Sequence, residues 1–259
     1  MGKLGRKAIA SVLPSLKQEL GVDVVIANGE NVAHGKGMTR STLAELFASG
    51  VNLVTSGNHM NKKPEGVEVL EEKILPVIRP YNWATVQESI PGRGYLIWEI
   101  KGKKIAIVNL IGQAFFKEMY ENPFHAFDRI MQEIADQDIS AVIVDFHGEA
   151  TSEKVAFGWY VDGRVALVFG THTHIPTADA RMLLQGTGYI TDLGLTGDRD
   201  GVIGVSREEA IEQYLTNMPS GFTLKEDGWA VFNAVLAEID IDTGKCIHIQ
   251  RVDRELEIR

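Results

Sequence analysis

In some stretches of the chain the apolar residues recur with a helical period, and in others they form short continuous runs. Glycines or clusters of polar residues separate these stretches. Runs of four to six apolar residues between such clusters are typical of buried strands, whereas a 3.6-residue period predicts a helix. In the first third of the chain, the pattern predicts a glycine-bearing loop at residues 1–6 and a helix through residues 9–20. It then predicts strands at 22–27, 52–56 and 75–78, with helices that begin near Thr39 and Pro64 between them.

The rest of the chain predicts two hairpins and a further alternation of strands and helices. Residues 94–100 and 104–110 flank Lys101-Gly102-Lys103, and residues 229–239 and 245–252 flank a polar turn, so each pair predicts an antiparallel hairpin. Between the hairpins lie predicted strands at 141–145, 165–169 and 187–191 and predicted helices at 124–134 and 151–159, and a helix at 207–215 follows them. The simplest fold is one α/β domain over residues 1–259, with two sheets face to face and helices outside.

Composition and charge exclude several kinds of partner and of covalent cross-link. The chain has 259 residues, 44% of them apolar, and a formal net charge of −9. This charge argues against duplex DNA or an anionic membrane as a partner, but bound metal ions would still allow a small phosphorylated ligand. The single cysteine excludes an intramolecular disulfide. The sequence shows no signal peptide or membrane span, which favours the cytoplasm.

Potential metal ligands follow four of the predicted strands. They are Glu30 and Asn31, Asn58 and His59, His147, and finally His172 and His174. Open α/β sheets place ligands at the carboxyl ends of their strands, so these groups should meet. They are too many for one tetrahedral zinc ion and suit two adjacent divalent ions that share a carboxylate. Two ions roughly 3.5–4 Å apart would hold a phosphate and generate hydroxide for in-line attack.

The two histidines of Gly170-Thr-His-Thr-His174 are separated by one residue. In an extended chain, residues i and i+2 point to the same side. We therefore expect both imidazoles to face one centre.

Several motifs carry a resemblance that covers almost the whole chain. They are Asn28-Gly-Glu-Asn31, Gly57-Asn-His59, Val144-Asp-Phe-His147, Glu149-Ala-Thr-Ser-Glu-Lys154 and Gly170-Thr-His-Thr-His-Ile-Pro-Thr-Ala-Asp179. The chain resembles the calcineurin-like metallophosphoesterases, and within them the YmdB-like bacterial subfamily. The resemblance implies a four-layer α/β/β/α sandwich, a dinuclear iron or manganese centre with zinc as an alternative, and phosphodiesterase activity, mainly on cyclic nucleotides. It also suggests a homo-oligomer.

The resemblance implies a role for each ligand candidate. Glu30 would bridge the two metals. Asn31 and His174 would bind one metal, and Asn58, His147 and His172 would bind the other. His59 would be catalytic: it would face the phosphate and either stabilise charge or protonate the leaving oxygen. From their positions in the sequence, Arg79, Asp192 and Thr196 are weaker candidates for substrate contacts, and for Arg79 a structural ion pair is the alternative.

This sequence departs from the family pattern in two places. The family has an N-terminal strand that ends in Gly-Asp, and its Asp is a metal ligand that would lie about two residues before Met1. We therefore expect a groove between the neighbouring strands, and we interpret Met1 as an internal methionine of a longer protein. In the second departure, Met60 and Asn61 stand where the family has Thr-Trp-Asp, so substrate contacts near His59 are expected to differ.

The leading interpretation is a dinuclear phosphodiesterase that hydrolyses a small phosphate ester such as a cyclic nucleotide. Because the family's aspartate is missing from the sequence, one alternative is a mono-metal or metal-free protein that binds nucleotides as a regulator. A phosphomonoesterase or ribonuclease is a further alternative.

Overall fold

The computed structural model describes residues 1–83 and 90–259. The helices in these ranges are α1 (Gly2–Glu19), α2 (Arg40–Ala48), α3 (Pro64–Glu72), α4 (Pro123–Glu133), α5 (Thr151–Tyr160) and α6 (Arg207–Thr216). The strands are β1 (Ile26–Asn28), β2 (Leu53–Thr55), β3 (Tyr95–Ile100), β4 (Lys103–Ile111), β5 (Ile139–His147), β6 (Leu167–Thr171), β7 (Arg181–Met182), β8 (Gly188–Ile190), β9 (Thr196–Asp198), β10 (Gly228–Asp240) and β11 (Lys245–Ile258).

The strands form three hydrogen-bonded sheets. A six-stranded sheet has the order β3-β4-β5-β6-β8-β7, and its strands β4, β5, β6 and β8 run parallel. Strands β1 and β2 form a parallel pair, and β9, β10 and β11 form an antiparallel sheet. The two predicted hairpins are present as β3–β4 and β10–β11.

Three apolar clusters separate four layers. One packs helices α1 to α3 against β1, β2 and β10, with Leu43, Val54 and Phe232 among its members. A second fills the space between the sheets. A third packs α4 and α5 against the six-stranded sheet through residues such as Phe127 and Phe157. The arrangement confirms the predicted four-layer α/β/β/α sandwich.

Local sequence explains where the first two helices begin. Thr39 caps α2, since its hydroxyl accepts from the Thr42 amide while the Thr42 hydroxyl accepts from the Thr39 amide. The predicted loop at residues 1–6 is instead the first turn of α1. A Cβ atom at Gly5 would lie 2.4 Å from the carbonyl oxygen of Thr196, so the glycine lets α1 pack directly on β9.

The predicted groove is present between β1 and β10. Among the described residues, β1 pairs only with β2, and β10 pairs with β9 only over Ala230–Phe232. A cavity of about 950 Å³ lies there, and apolar side chains from α1, both strand edges and the six-stranded sheet line it. Asn31 and His174 also border this cavity. With one paired edge, β1 is shorter than the predicted strand at 22–27.

No helix in the described ranges has both the length and the apolar composition that a membrane span requires. The assignment of residues 1–259 to one domain stays a prediction.

The aromatic cluster around α5 gives a test of the outer layer. Phe157 is fully buried, and its ring packs on those of Phe124, Phe127 and Phe146. We expect Phe157→Ala to lower the free energy of unfolding by about 3–5 kcal/mol, because it removes apolar contacts and leaves a cavity. Urea unfolding would measure this, with Ser152→Ala on the exposed side of the same helix as the control. Similar midpoints for the two variants would contradict the assignment of Phe157 to the core.

Candidate active site

The predicted ligands lie at the ends of four strands that belong to two different sheets. Glu30 and Asn31 follow β1, and Asn58 and His59 follow β2. His147 is the last residue of β5, and His172 and His174 follow the adjacent parallel strand β6. Because the two sheets face each other, their carboxyl ends bring these side chains to one edge of the sandwich.

A compact cluster of donor atoms surrounds His147. Its Nε2 lies 3.0 Å from Asn58 Oδ1, 3.0 Å from His172 Nδ1 and 3.3 Å from Glu30 Oε1. Donor atoms of Glu30, His147 and His172 all lie within 4.8 Å of one another. Ligands about 2.1 Å from a common cation are separated by about 3 Å, so this spacing fits a shared metal ion. Carboxylate, amide and imidazole donors together fit a borderline divalent cation.

A second group of donors lies beside this cluster. His174 Nε2 is 3.3 Å from Asn31 Oδ1, and Asn31 Nδ2 is 3.3 Å from His59 Nδ1. The His59 amide donates to Glu30 Oε2 at 3.1 Å. Glu30 is thus joined to His147 through Oε1 and to the backbone of His59 through Oε2. A role of Glu30 as a bridge between two metals stays a prediction.

The backbone turns at both histidines of the pair. Strand β6 ends at Thr171, and His172 and His174 have φ values of +107° and +65°. The expectation that an extended chain directs both rings to one side is therefore wrong. His172 faces His147 and Glu149, whereas His174 faces Asn31 and the Ile203 carbonyl. A left-handed φ is unfavourable for residues other than glycine, so surrounding contacts must hold this turn.

A hydrogen-bond chain behind His147 fixes its tautomer. Thr171 Oγ1 donates to Asp145 at 2.7 Å and lies 2.9 Å from His147 Nδ1. Since the hydroxyl proton points to Asp145, the hydroxyl oxygen accepts from His147 Nδ1–H. The Nε2 lone pair is then directed at the cluster, as a metal ligand requires. Thr171 was not predicted from the sequence, where its only signal is its position at the end of β6.

A buried ion pair holds the histidine turn from the other side. Lys154 Nζ donates to Asp192 at 2.7 Å and to the Thr171 carbonyl at 2.8 Å. Asp192 also accepts from the Thr173 amide at 3.1 Å. Both side chains are buried, so the pair restrains the backbone on either side of His172.

The three predicted substrate contacts are not brought into the cluster. Asp192 is fully buried and paired with Lys154. Arg79 is also buried, and its guanidinium donates to the carbonyls of Pro80, Tyr81 and Pro91. Thr196 belongs to β9, and its carbonyl accepts from the Met1 amine. These contacts favour structural roles, and binding of substrate by any of the three stays a prediction.

Burial controls the protonation of the cluster. It raises the pKa of Glu30 to about 8, although the His59 amide opposes the shift. It also lowers the pKa of His147 well below its usual range, and it lowers the pKa of His172 and of His174. The imidazoles are therefore neutral near pH 7 and present lone pairs, while a buried carboxylate without a countercharge favours a nearby cation.

Gly57 provides the space that this cluster needs. A Cβ atom at this position would lie 2.3 Å from both Glu30 Oε2 and His147 Nε2. Any side chain here would displace two of the three central donors. The residue before Asn58 is therefore restricted to glycine by the close approach of Glu30 and His147.

Two further residues contact His172. Glu149 Oε2 lies 2.8 Å from His172 Nε2, and the Phe116 ring centroid lies 4.9 Å from that of His172. In the sequence, Glu149 stands out only as part of a family motif. Phe116 could not be predicted, because no ligand-type residue or motif marks the loop after β4.

The fold is that of the calcineurin-like metallophosphoesterases. The model of the YmdB-like protein family matches residues 1–252, and the chain belongs to that family. This membership confirms the resemblance and, at the level of class, the prediction of a phosphoesterase.

Three related proteins show how closely the whole chain is matched. A Bacillus subtilis protein named 2',3'-cyclic-nucleotide 2'-phosphodiesterase is 40% identical over 97% of this chain and 93% of its own. A crystal structure of a Mycoplasma pneumoniae protein described as a novel phosphatase has a TM-score of 0.91 and 36% identity, covering 99% of this chain and 91% of its own. A hypothetical protein from Thermus thermophilus has a TM-score of 0.89 and 37% identity, covering 98% and 96%.

The raised pKa of Glu30 predicts a pH dependence for the metal-free protein. Its ordinary value is 4.5 and its folded value about 8, so the folded state binds more protons and loses stability as pH rises towards 8. Between pH 6.5 and 8, wild-type protein should lose about 1–2 kcal/mol of unfolding free energy relative to Glu30→Gln. Urea unfolding in a chelator would measure this.

The other titrating groups are common to both proteins in this comparison, so their contributions cancel. A difference in stability that stays constant from pH 6.5 to 8 would contradict the burial of an uncompensated Glu30 carboxyl.

Proposed function

We propose that the protein is a phosphodiesterase that uses two divalent metal ions to hydrolyse a small phosphate ester, with 2',3'-cyclic nucleotides as the leading substrate class. The observation that carries this proposal is the cluster of Glu30, His147 and His172 donor atoms, with the linked side chains of Asn31, His59 and His174 beside it. The name of the Bacillus subtilis relative supports the substrate class.

The donor geometry supports one assignment of ligands. Asn58, His147 and His172 would hold one ion, Asn31 and His174 would hold the other, and Glu30 would contact both. Iron or manganese suits this set best, and zinc is the alternative. When bound, such ions supply Lewis acidity to the phosphate and a nucleophile at neutral pH.

The residues of the chain orient this chemistry. Thr171 and Asp145 hold His147 with Nε2 towards the centre. The Lys154–Asp192 pair fixes the turn that carries His172. Because these supports are buried, the ligands are held in position before substrate binds, so little reorganisation is needed.

His59 acts on the phosphate through a hydrogen bond. Burial, together with Lys36 and Lys62, lowers the pKa of its imidazole to about 4, so the ring is neutral at pH 7. A neutral ring is a poor proton source but can still donate an N–H hydrogen bond. Of the two predicted roles, stabilisation of phosphate charge is therefore favoured over protonation of the leaving oxygen.

A nucleotide-binding regulator is the second candidate function. The observation that favours it is the asymmetry of the donors: among the described residues, Glu30, His147 and His172 form the one group with the spacing of a shared metal ion, and His174 lies outside it. Weak binding at His174 would leave a single tightly held ion and little hydrolysis.

Removal of His172 tests the ligand assignment. We expect His172→Ala to bind one fewer equivalent of Mn²⁺ and to lose at least about 100-fold in kcat, since even changes behind a ligand cost 10–100-fold. Calorimetric titration and hydrolysis of bis-(p-nitrophenyl) phosphate would measure both effects. His248→Ala, an exposed histidine of β11, is the matched control. Unchanged metal content in His172→Ala would refute the assignment of His172 as a ligand. If wild-type protein binds at most one ion and does not hydrolyse the ester, the nucleotide-binding regulator is favoured.

The role of His59 is separable from metal binding. His59→Ala should keep the metal content of the wild type and lose about 100-fold in kcat, because a donor to developing phosphate charge is lost. The loss should be the same for esters with good and poor leaving groups. A loss confined to poor leaving groups would instead show that His59 protonates the leaving oxygen.

A further inference from the structure

The loop between β4 and α4, residues 112–122, is fastened to the edge of the site. The Gly112 amide donates to the His147 carbonyl at 2.8 Å. The amides of Gln113 and Ala114 donate to the carboxylate of Glu153 at 2.8 and 3.2 Å. These hydrogen bonds fix the start of the loop relative to His147 and α5.

Phe116 of this loop forms a wall of the site. Its ring centroid lies 4.9 Å from that of His172, and 6.3 Å from that of His147 in a stacked arrangement at 27°. The ring of Tyr120 meets it edge-on at 5.5 Å. Phe116 is only half-buried, so part of its ring remains accessible beside the donor cluster.

The apolar character of this wall is not explained by phosphate chemistry. A phosphate held by metal ligands and a charge-stabilising histidine requires polar partners. Phe115 and Met119 of the same loop are 85% and 87% exposed, so the apolar surface extends outward from Phe116. Apolar and aromatic surface at the rim of a polar site is typical of a ligand with a planar apolar part next to its charged group.

We propose that Phe116 is a specificity-determining residue on which the base of a nucleoside phosphodiester stacks while its phosphate lies at the histidine cluster. A single ribose joins base and phosphate, so a ring that borders the phosphate site is within reach of the base. Aromatic stacking tolerates every base, because each has a π-face. The inference rests on the proposed phosphodiesterase function. It concerns the base of the substrate, whereas the donor cluster accounts only for the phosphate.

A different role for Phe116 would be to position His172 by packing alone. The two roles differ in their dependence on substrate. A positioning residue would affect every phosphodiester equally, whereas a stacking residue would affect only those that carry a base.

The experiment compares two cyclic phosphodiesters with the same strained five-membered ring, 2',3'-cyclic AMP and glycerol 1,2-cyclic phosphate, which has no base. Phe116→Leu keeps apolar bulk against His172 and removes the aromatic face. The measured quantity is kcat/KM for the nucleotide divided by kcat/KM for the glycerol ester. We expect Phe116→Leu to lower this quotient about tenfold and Phe116→Trp to restore it. Tyr214→Leu, which replaces an exposed aromatic residue of α6 outside this loop, is the control and should leave the ratio unchanged. Equal losses on both esters, or no loss, would overturn the proposal.

A binding measurement tests Phe116 independently of turnover. In the metal-loaded full chain, Phe116→Leu should weaken the calorimetric affinity for 3'-AMP about tenfold relative to that for inorganic phosphate. If wild-type protein hydrolyses neither ester, the proposed function fails, while this comparison still decides the role of Phe116. The stacking role would be overturned if wild-type protein bound 3'-AMP no more tightly than phosphate. It would also be overturned if Phe116→Leu lowered the affinities for both ligands equally or lowered neither.

Discussion

The carboxylate of Asp145 is the interaction on which the geometry of the site depends. It is fully buried on β5 and accepts hydrogen bonds from Asn28 of β1, Thr55 of β2 and Thr171 of β6. These four strands belong to two different sheets. Burial raises the pKa of Asp145 to about 6 against the effect of these donors. One buried acceptor thus joins the two sheets at the edge where all the ligands lie.

Most helices and strands, and the grouping of the candidate ligands at strand ends, could be predicted from the sequence because both are local. The strand predicted at 75–78 is an exception, since it forms only a single bridge from Val77 to Val54. An apolar run that ends in a polar cluster identifies a strand end, and parallel strand ends share an edge of the sheet. The connections between the groups were not predictable in this way. For example, the side-chain amide of Asn28 joins β1 to Asp145. Contacts of this kind between layers leave no periodic signal in the sequence.

The errors in the predictions have specific physical causes. The helical period was placed from Ile9 onward, but close packing at Gly5 lets α1 begin at Gly2. The i, i+2 rule failed at His172 and His174 because β6 ends at Thr171, before either histidine. Asp192, a candidate for substrate contact, is buried against Lys154, a residue type that is rarely buried. Each cause is a tertiary contact that overrides a local pattern.

The candidate ligands lie on two separate sheets. Glu30 and Asn31 follow a strand of the two-stranded pair, whereas His147 and His172 lie at the end of the six-stranded sheet. The two sheets are joined by the apolar cluster between them and by the hydrogen bonds of Asn28 and Thr55 to Asp145. A cation bound between Glu30 and His147 would tie the two sheets together, and closer sheets would in turn bind the cation more tightly. Metal affinity and the cohesion of the sandwich would then be linked functions of one free energy.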